Sequence, residues 1–323
     1  MRLGYRPLSA MGLLSPSRRR DAPALVSYHG AMPSDARWDL PHDGNLVSTD
    51  ELRDHLRLLQ RRYRLIDPDD LRAWLEDGTR LPHDAVLVTC DDGLANARSH
   101  MVPVLQDAGV RALFFVTSRS TETEPEWFWM DQLHVALSAP FPDEGGDPFP
   151  RQTWWDLVRL LSRLDEANRA EALRCLRVAA GPEAARADAD ARFRPMNRGE
   201  LAEVVHAGMT IGAHGASHSV LSLQPDASIE DEVVTTKLRL EEATGASVWA
   251  YAYPFGDQGS VGERERRAVE GAGYLCAVMN VPMPGTTDRF ALGRHNVGRG
   301  THPAELDAIL SGLHDAVARR LQA

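Results

Sequence analysis

The strongest constraint on this chain is a repeated alternation of short apolar runs with longer amphipathic stretches. Pro23 to His29 (PALVSYH), Ala85 to Cys90 (AVLVTC), Arg111 to Ser118 (RALFFVTS), Met209 to His214 (MTIGAH), Ser247 to Pro254 (SVWAYAYP) and Tyr274 to Asn280 (YLCAVMN) each read as a buried strand. Between them, apolar residues at helical spacing fill Ser48 to Tyr63, Leu94 to Gly109, Asn197 to Gly208, Ser228 to Gly245 and Ser260 to Gly273. Ser48 with Glu51, and Asn197 with Glu200, have the spacing of capping boxes that open a helix. Gly109, Gly208 and Gly245 stand where a helix would stop. Short apolar strands alternating with helices belong to a parallel sheet covered on both faces, so the expected class is α/β, either an open sheet or a barrel.

The rhythm breaks once. From about 120 to 196 the chain carries EPEWFWMDQL, a Pro/Gly-rich turn (PFPDEGGDPFP), an amphipathic stretch (TWWDLVRLLSRL), an Ala/Arg-rich stretch and the loop GPEAARADADA. We read this as a helical insertion between two strands of one domain covering 23–323, preceded by an arm over 1–22. Trp154 and Trp155, at the start of an amphipathic helix, read as core.

Charge and cysteine content narrow the partners. With 36 Lys and Arg against 46 Asp and Glu, the formal net charge is -10, which argues against a nucleic-acid groove or an anionic membrane surface. The cluster Arg18 to Arg20 reads as part of a solvated arm. No apolar run reaches the length of a membrane span or of a secretory leader, so the expected location is cytoplasmic. The three cysteines, Cys90, Cys175 and Cys276, are widely spaced and odd in number. They are expected to be buried apolar residues, neither a disulfide framework nor a zinc cage.

Chemistry collects at the C-terminal ends of the expected strands, as parallel α/β folds require. His29 follows the first strand, Asp91 and Asp92 the second, His214 and His218 a later one, and Tyr-Pro-Phe-Gly (253–256) the one after that. Two adjacent carboxylates at a buried strand end repel each other unless one binds a cation. Two histidines four apart converge on one ion if the segment makes a turn of helix. One carboxylate with two neutral imidazoles leaves open positions for water or substrate, the pattern of a catalytic zinc or similar divalent ion. The second carboxylate is then free to take a proton from the attacking water.

These residues resemble the polysaccharide deacetylases of the NodB-homology group, carbohydrate esterase family four. TCDDG (89–93) is similar to the family's TFDDG motif with Cys90 in place of Phe, and HGASH (214–218) matches its H-(S/T)-x-x-H motif with Gly215 in the second position. SYHG, YPFG and LGRHNV (292–297) resemble further segments, and the resemblance spans roughly Pro23 to Leu313. It implies a deformed (β/α)7 barrel in which Asp91 is the general base and Asp92, His214 and His218 hold a divalent metal ion, zinc being the first choice. It also implies that the N–H of Phe255, in the turn with Tyr253 and Pro254, stabilises the oxyanion.

Many relatives carry an arginine where this chain has Ala252, so the group that orients the base must come from elsewhere, and Arg294 is the candidate. The family's histidine acid has no clear counterpart; His295 and His29 are both candidates. Trp129, in the insertion, is a candidate for stacking on a sugar ring, and Asp131 for binding a hydroxyl. The implied activity is removal of an N-acetyl group from an acetamido sugar or a related N-acylated metabolite, with a small molecule or oligosaccharide as substrate. Two alternatives stay open. One is hydrolysis of another acyl group (formyl, O-acetyl or a cyclic imide) at the same metal site, and the other is a carbohydrate-binding barrel without turnover.

Overall fold

The computed structural model describes residues 22–36, 38, 41–137, 151–164, 166–180, 192–283, 286 and 288–312. The N-terminal arm with Arg18 to Arg20, apart from Ala22, the turn PFPDEGGDPFP and the loop GPEAARADADA lie outside the described residues.

In chain order the elements are β1 (Ala24–Tyr28), β2 (Ala31–Met32), β3 (Val47–Ser48), α1 (Thr49–Arg62), β4 (Arg64–Leu65), α2 (Pro68–Asp77), β5 (Ala85–Cys90), α3 (Val102–Asp107) and β6 (Leu113–Val116). There follow α4 (Trp129–Leu137), α5 (Arg151–Leu161), α6 (Glu166–Ala180), α7 (Arg198–His206) and β7 (Thr210–Ala213). The last are α8 (Asp226–Glu230), α9 (Thr236–Thr244), β8 (Ala250–Ala252), α10 (Glu263–Gly271), β9 (Cys276–Val278), β10 (Arg294–Asn296) and α11 (Pro303–Leu310).

The main sheet runs β10-β1-β5-β6-β7-β8-β9, every pairing parallel, with β4 added beside β5. The ends of this path approach each other at an isolated parallel bridge between Val278 and Leu292, so the sheet curls into a nearly closed barrel. This is the expected deformed (β/α)7 architecture. Strands β1 and β5 are buried along their whole length, as strands covered on both faces must be. Both expected capping boxes form: Ser48 accepts from the Glu51 amide and Glu51 from the Ser48 amide, and Asn197 and Glu200 reciprocate in the same way.

One expected helix is irregular. The stretch from Leu94 to Gly109 contains a π-helical turn, Ala97–Met101, before α3, where the Val102 amide bonds back to the Ala97 carbonyl. Pro103 follows at once; its ring would press on the carbonyl four residues earlier in a regular α-helix, and the wider turn relieves that clash. Cys90 and Cys276 are buried, but Cys175 is exposed on α6, correcting the expectation that all three pack inside. No helix among the described residues is long and apolar enough to cross a membrane.

Because all main strands are parallel, their C-terminal ends share one rim. The segment between β6 and β7 rises over that rim as α4, α5 and α6, whose Trp129, Leu133, Trp154, Val158, Leu161 and Leu173 form a small core of their own. Phe255, at the end of β8, packs against that core and links the insertion to the barrel.

Candidate active site and metal centre

A cavity of about 270 Å³ opens at the rim, lined from the barrel by His29, Asp91, Asp92, His214, His218, Tyr253 and Phe255. Its position follows from the strand registers. Tyr28 pairs with Cys90, so His29 and Asp91 emerge side by side, and the Asp91 amide donates to the Tyr28 carbonyl at 2.8 Å. Val116 pairs with Ala213, so His214 emerges next to the end of β6.

Asp91 and Arg294 form a buried ion pair, with relative exposures of 1% and 0%. Nη1 donates to Oδ1 and Nη2 to Oδ2, both at 2.5 Å. The fork is itself fixed, because Nε donates to the Met279 carbonyl at 2.9 Å and Nη1 also reaches Thr89 Oγ1 at 3.2 Å. Burial pushes the Asp91 carboxyl up, but the Arg294 guanidinium, together with the His214 and His29 imidazoles, outweighs it and the net direction is down. Asp91 is therefore held as a carboxylate in a fixed orientation.

Asp92, His214 and His218 bring one ligand atom each within 4.8 Å of one another, the only such group of three metal-ligating side chains found among the described residues. Asp92 Oδ1 lies 3.4 Å from His214 Nε2 and 3.3 Å from His218 Nε2, yet it is buried and makes no well-directed hydrogen bond. His214 Nδ1 is 2.8 Å from the Ala252 carbonyl, which only accepts, so Nδ1 carries a hydrogen and Nε2, which faces Asp92, is the nitrogen a cation would bind in place of a proton. Burial pushes the Asp92 carboxyl up, but the facing imidazoles, with His29 behind them, hold it well below the usual carboxylate range. A charged oxygen without a proper donor, faced by two imidazole nitrogens, is a donor set that fits a divalent cation.

The histidine spacing works differently from the expectation. Residues 214–218 are not helical: they form a bend in which Gly215 has φ 77° and His218 φ 55°. Three non-glycine residues among those described have positive φ, namely Asp92 (72°), His218 and Phe255 (63°), and all three line the cavity. Such conformations cost about 1–3 kcal/mol each and persist where the surroundings enforce them, so their clustering marks the cavity independently of its charges. Among the described residues the Phe255 amide donates to no protein acceptor, and Phe255 lines the cavity.

The remaining candidates divide between the cavity wall and its surroundings. His29 lines the cavity, 8% exposed, with Nδ1 buried and without a partner. His295 does not line it. Adjacent residues of a strand face opposite sides, and on β10 it is Arg294 and Asn296 that share the site's side. Period-2 alternation excludes His295 once Arg294 is taken to point inward.

Trp129 is 5% exposed and outside the cavity wall. Its Nε1 donates to the His218 carbonyl at 3.2 Å and its ring stacks on Phe255 with centroids 6.2 Å apart, so it supports the site from behind. Pro254 is buried beside the cavity, and Tyr253, which lines it, ties its hydroxyl to the Phe290 carbonyl at 3.1 Å. The insertion supplies Phe128, Asp131, Trp154 and Phe193 to the wall. Trp154 is thus both core and wall, while Phe193 and Asn280 carried no sequence signal of their own.

Comparison with known proteins agrees with this fold. The family model for polysaccharide deacetylase matches residues 178–276, a segment that contains His214, His218 and the 253–256 turn; Asp91, Asp92 and Arg294 fall outside it. Among solved structures, the Streptococcus pyogenes deacetylase PplD in complex with acetate superposes with a TM-score of 0.56 at 13% identity, over 88% of this chain and 96% of that one. IcaB from Ammonifex degensii gives 0.56 at 17%, over 91% and 98%, and a polysaccharide deacetylase from Bacillus cereus gives 0.57 at 15%, over 89% and 68%. None of the curated proteins matches by sequence. The fold is that of the NodB-type (β/α)7 barrels, and residues 178–276 are similar to the polysaccharide deacetylase family.

Proposed function

We propose that the chain is a metal-dependent hydrolase that removes an N-acetyl group from an acetamido sugar or a related small N-acylated metabolite. The observation that carries this reading is the meeting, in one cavity, of the Asp92, His214 and His218 donor set with the Arg294-held carboxylate of Asp91. Zinc is the first choice of ion. Ligand distances of roughly 2.0–2.1 Å in a tetrahedron give edges of about 3.3–3.4 Å, which matches the 3.3 and 3.4 Å between Asp92 Oδ1 and the two imidazole nitrogens.

An ion held by those three residues would act as a Lewis acid toward the acyl carbonyl and ease loss of a proton from water. The protein's own groups do the rest. Asp91 takes the proton of the attacking water, and Arg294 keeps its carboxylate ionised and aimed. The Phe255 amide donates to the carbonyl oxygen, where negative charge develops as the carbon becomes tetrahedral. His29 gives a proton to the departing nitrogen as the carbon–nitrogen bond breaks, so acetate and a free amine leave. His29 is preferred to His295 because it alone of the two lines the cavity.

The test is turnover with matched N-acetyl, N-formyl and O-acetyl analogues of one amino sugar, with and without zinc. Zinc-dependent release of acetate from the N-acetyl compound supports the reading. Preference for the formyl or O-acetyl compound moves the activity to another acyl group. Binding of all three with no turnover makes the barrel a carbohydrate-binding protein.

A further inference from the structure

Behind the bend that carries the two histidines lies a buried carboxylate for which the reaction above has no use. Glu232 is 5% exposed and sits on a π-helical turn, Asp231–Thr235, between α8 and α9. Its side chain points at the backbone between His214 and His218. The Ala216 amide donates to Oε2 at 2.7 Å, the Ser217 amide donates to Oε1 and Oε2 at 3.2 and 3.3 Å, and the Ser217 hydroxyl donates to Oε1. The Ser217 hydroxyl in turn meets Ser219 Oγ at 2.6 Å, and Ser219 Oγ accepts from Arg169 Nη2 of α6 at 2.8 Å.

Gly215 is part of the same arrangement. A Cβ there would stand 2.5 Å from Glu232 Oε2, and φ at this position is +77°. The residue with no side chain is therefore the one that lets the carboxylate approach, and a serine or threonine in its place would meet both the oxygen and an unfavourable backbone angle.

We propose that Glu232 is the positioning residue of the metal centre: by collecting the Ala216 and Ser217 amides it fixes the 215–217 bend, and so sets the separation at which His214 and His218 face Asp92. A residue four positions from its partner in a non-helical segment has no inherent reason to point the same way. The bend must be imposed, and among the described residues Glu232 is the side chain that binds its amides. The inference rests on the metal-site reading and deepens it, since it concerns how the ligands are held and not which they are.

The test is metal binding by the full chain, stripped with a chelator and titrated with zinc in competition with a chromophoric chelator, and separately with Co2+ by its visible absorption. Glu232→Ala and Glu232→Gln are compared with the wild type, each shown to be folded by a cooperative thermal transition. Loss of such an outer hydrogen-bonding partner typically weakens metal affinity by about 10- to 100-fold. That is the loss expected for Glu232→Ala, with a smaller one for Glu232→Gln, which keeps one acceptor oxygen. The Co2+ band should change shape in both, a change that general destabilisation would not produce.

Folded variants with the wild-type zinc affinity and Co2+ spectrum overturn the inference, and Glu232→Gln alone decides it if Glu232→Ala does not fold. A wild type that binds neither ion overturns the metal-site reading instead, so the two failures are distinguishable.

Discussion

Arg294 and Asp91 are separated by 203 positions in the chain and joined by two hydrogen bonds of 2.5 Å, with neither side chain exposed by more than 2%. The pair brings β10 and the end of β5 together across β1, the strand that lies between them in the sheet. Arg294→Met leaves a buried carboxylate without its partner, a change that costs about 3–5 kcal/mol. Since burial pushes Asp91 up and the guanidinium brings it down, removing the guanidinium should raise its pKa. A base works only when ionised, so the acid limb of the kcat/KM profile should move to higher pH in Arg294→Met. Urea denaturation and a pH-rate profile check the two outcomes. Arg294→Lys should fall between, since it keeps the charge but loses the planar fork.

Asp91→Asn tests the base itself. Base catalysis is worth about 10²- to 10⁴-fold, so kcat should drop by that amount while the zinc content of the purified variant stays that of the wild type. Full turnover in this variant would remove Asp91 from the mechanism.

For the metal, Asp92→Asn is informative because asparagine tolerates the left-handed backbone that Asp92 adopts at φ 72°. The substitution removes a negative charge beside Asp91 without forcing the chain to move. Because the facing imidazoles favour the Asp92 charge in the folded state, the metal-free variant should melt somewhat below the wild type at neutral pH, and it should gain nothing from added zinc. The wild type gains stability by mass action, roughly 2.7 kcal/mol when free zinc is 100 times the dissociation constant. Paired thermal scans with and without zinc measure both.

Much of this was legible because the strands are short, apolar and bounded by glycines, and because a parallel sheet puts every strand end on one rim. His29, Asp91, Asp92, His214 and Tyr253 each stand immediately after a strand, or one position further, and the structure gathers them. His295 stands off the cavity wall for a reason visible in the sequence, since it alternates with Arg294 along β10. Glu232 was not legible. It belongs to an acidic run, Glu230 to Glu232, that reads as a solvated helix face, and only the packing of that turn under residues 215–217 turns the third acid inward. The walls supplied by Trp154 and Phe193 were hidden for a similar reason, because the direction in which an insertion folds back is set by tertiary contacts that its own periodicity does not encode.

On the proposed reading, the walls bear on substrate size. Phe128, Asp131, Trp154 and Phe193 line, with the barrel residues, a cavity of about 270 Å³, a space for about one sugar ring with its acyl group. An N-acetylated monosaccharide should therefore have a higher kcat/KM than a polymer of the same sugar, by tenfold or more. Asp131 is 5% exposed, and burial together with the Asp92 charge pushes its carboxyl well above the usual range, favouring the neutral form that can both donate and accept. Asparagine has the same capacity, so Asp131→Asn should leave KM for the monosaccharide within a few-fold, whereas Asp131→Leu should raise KM with little change in kcat, the sign of lost binding that is equal in ground and transition states. Steady-state kinetics on the two variants and the two substrates decide the matter; equal turnover of polymer and monosaccharide would mean that the insertion does not bound the site in solution.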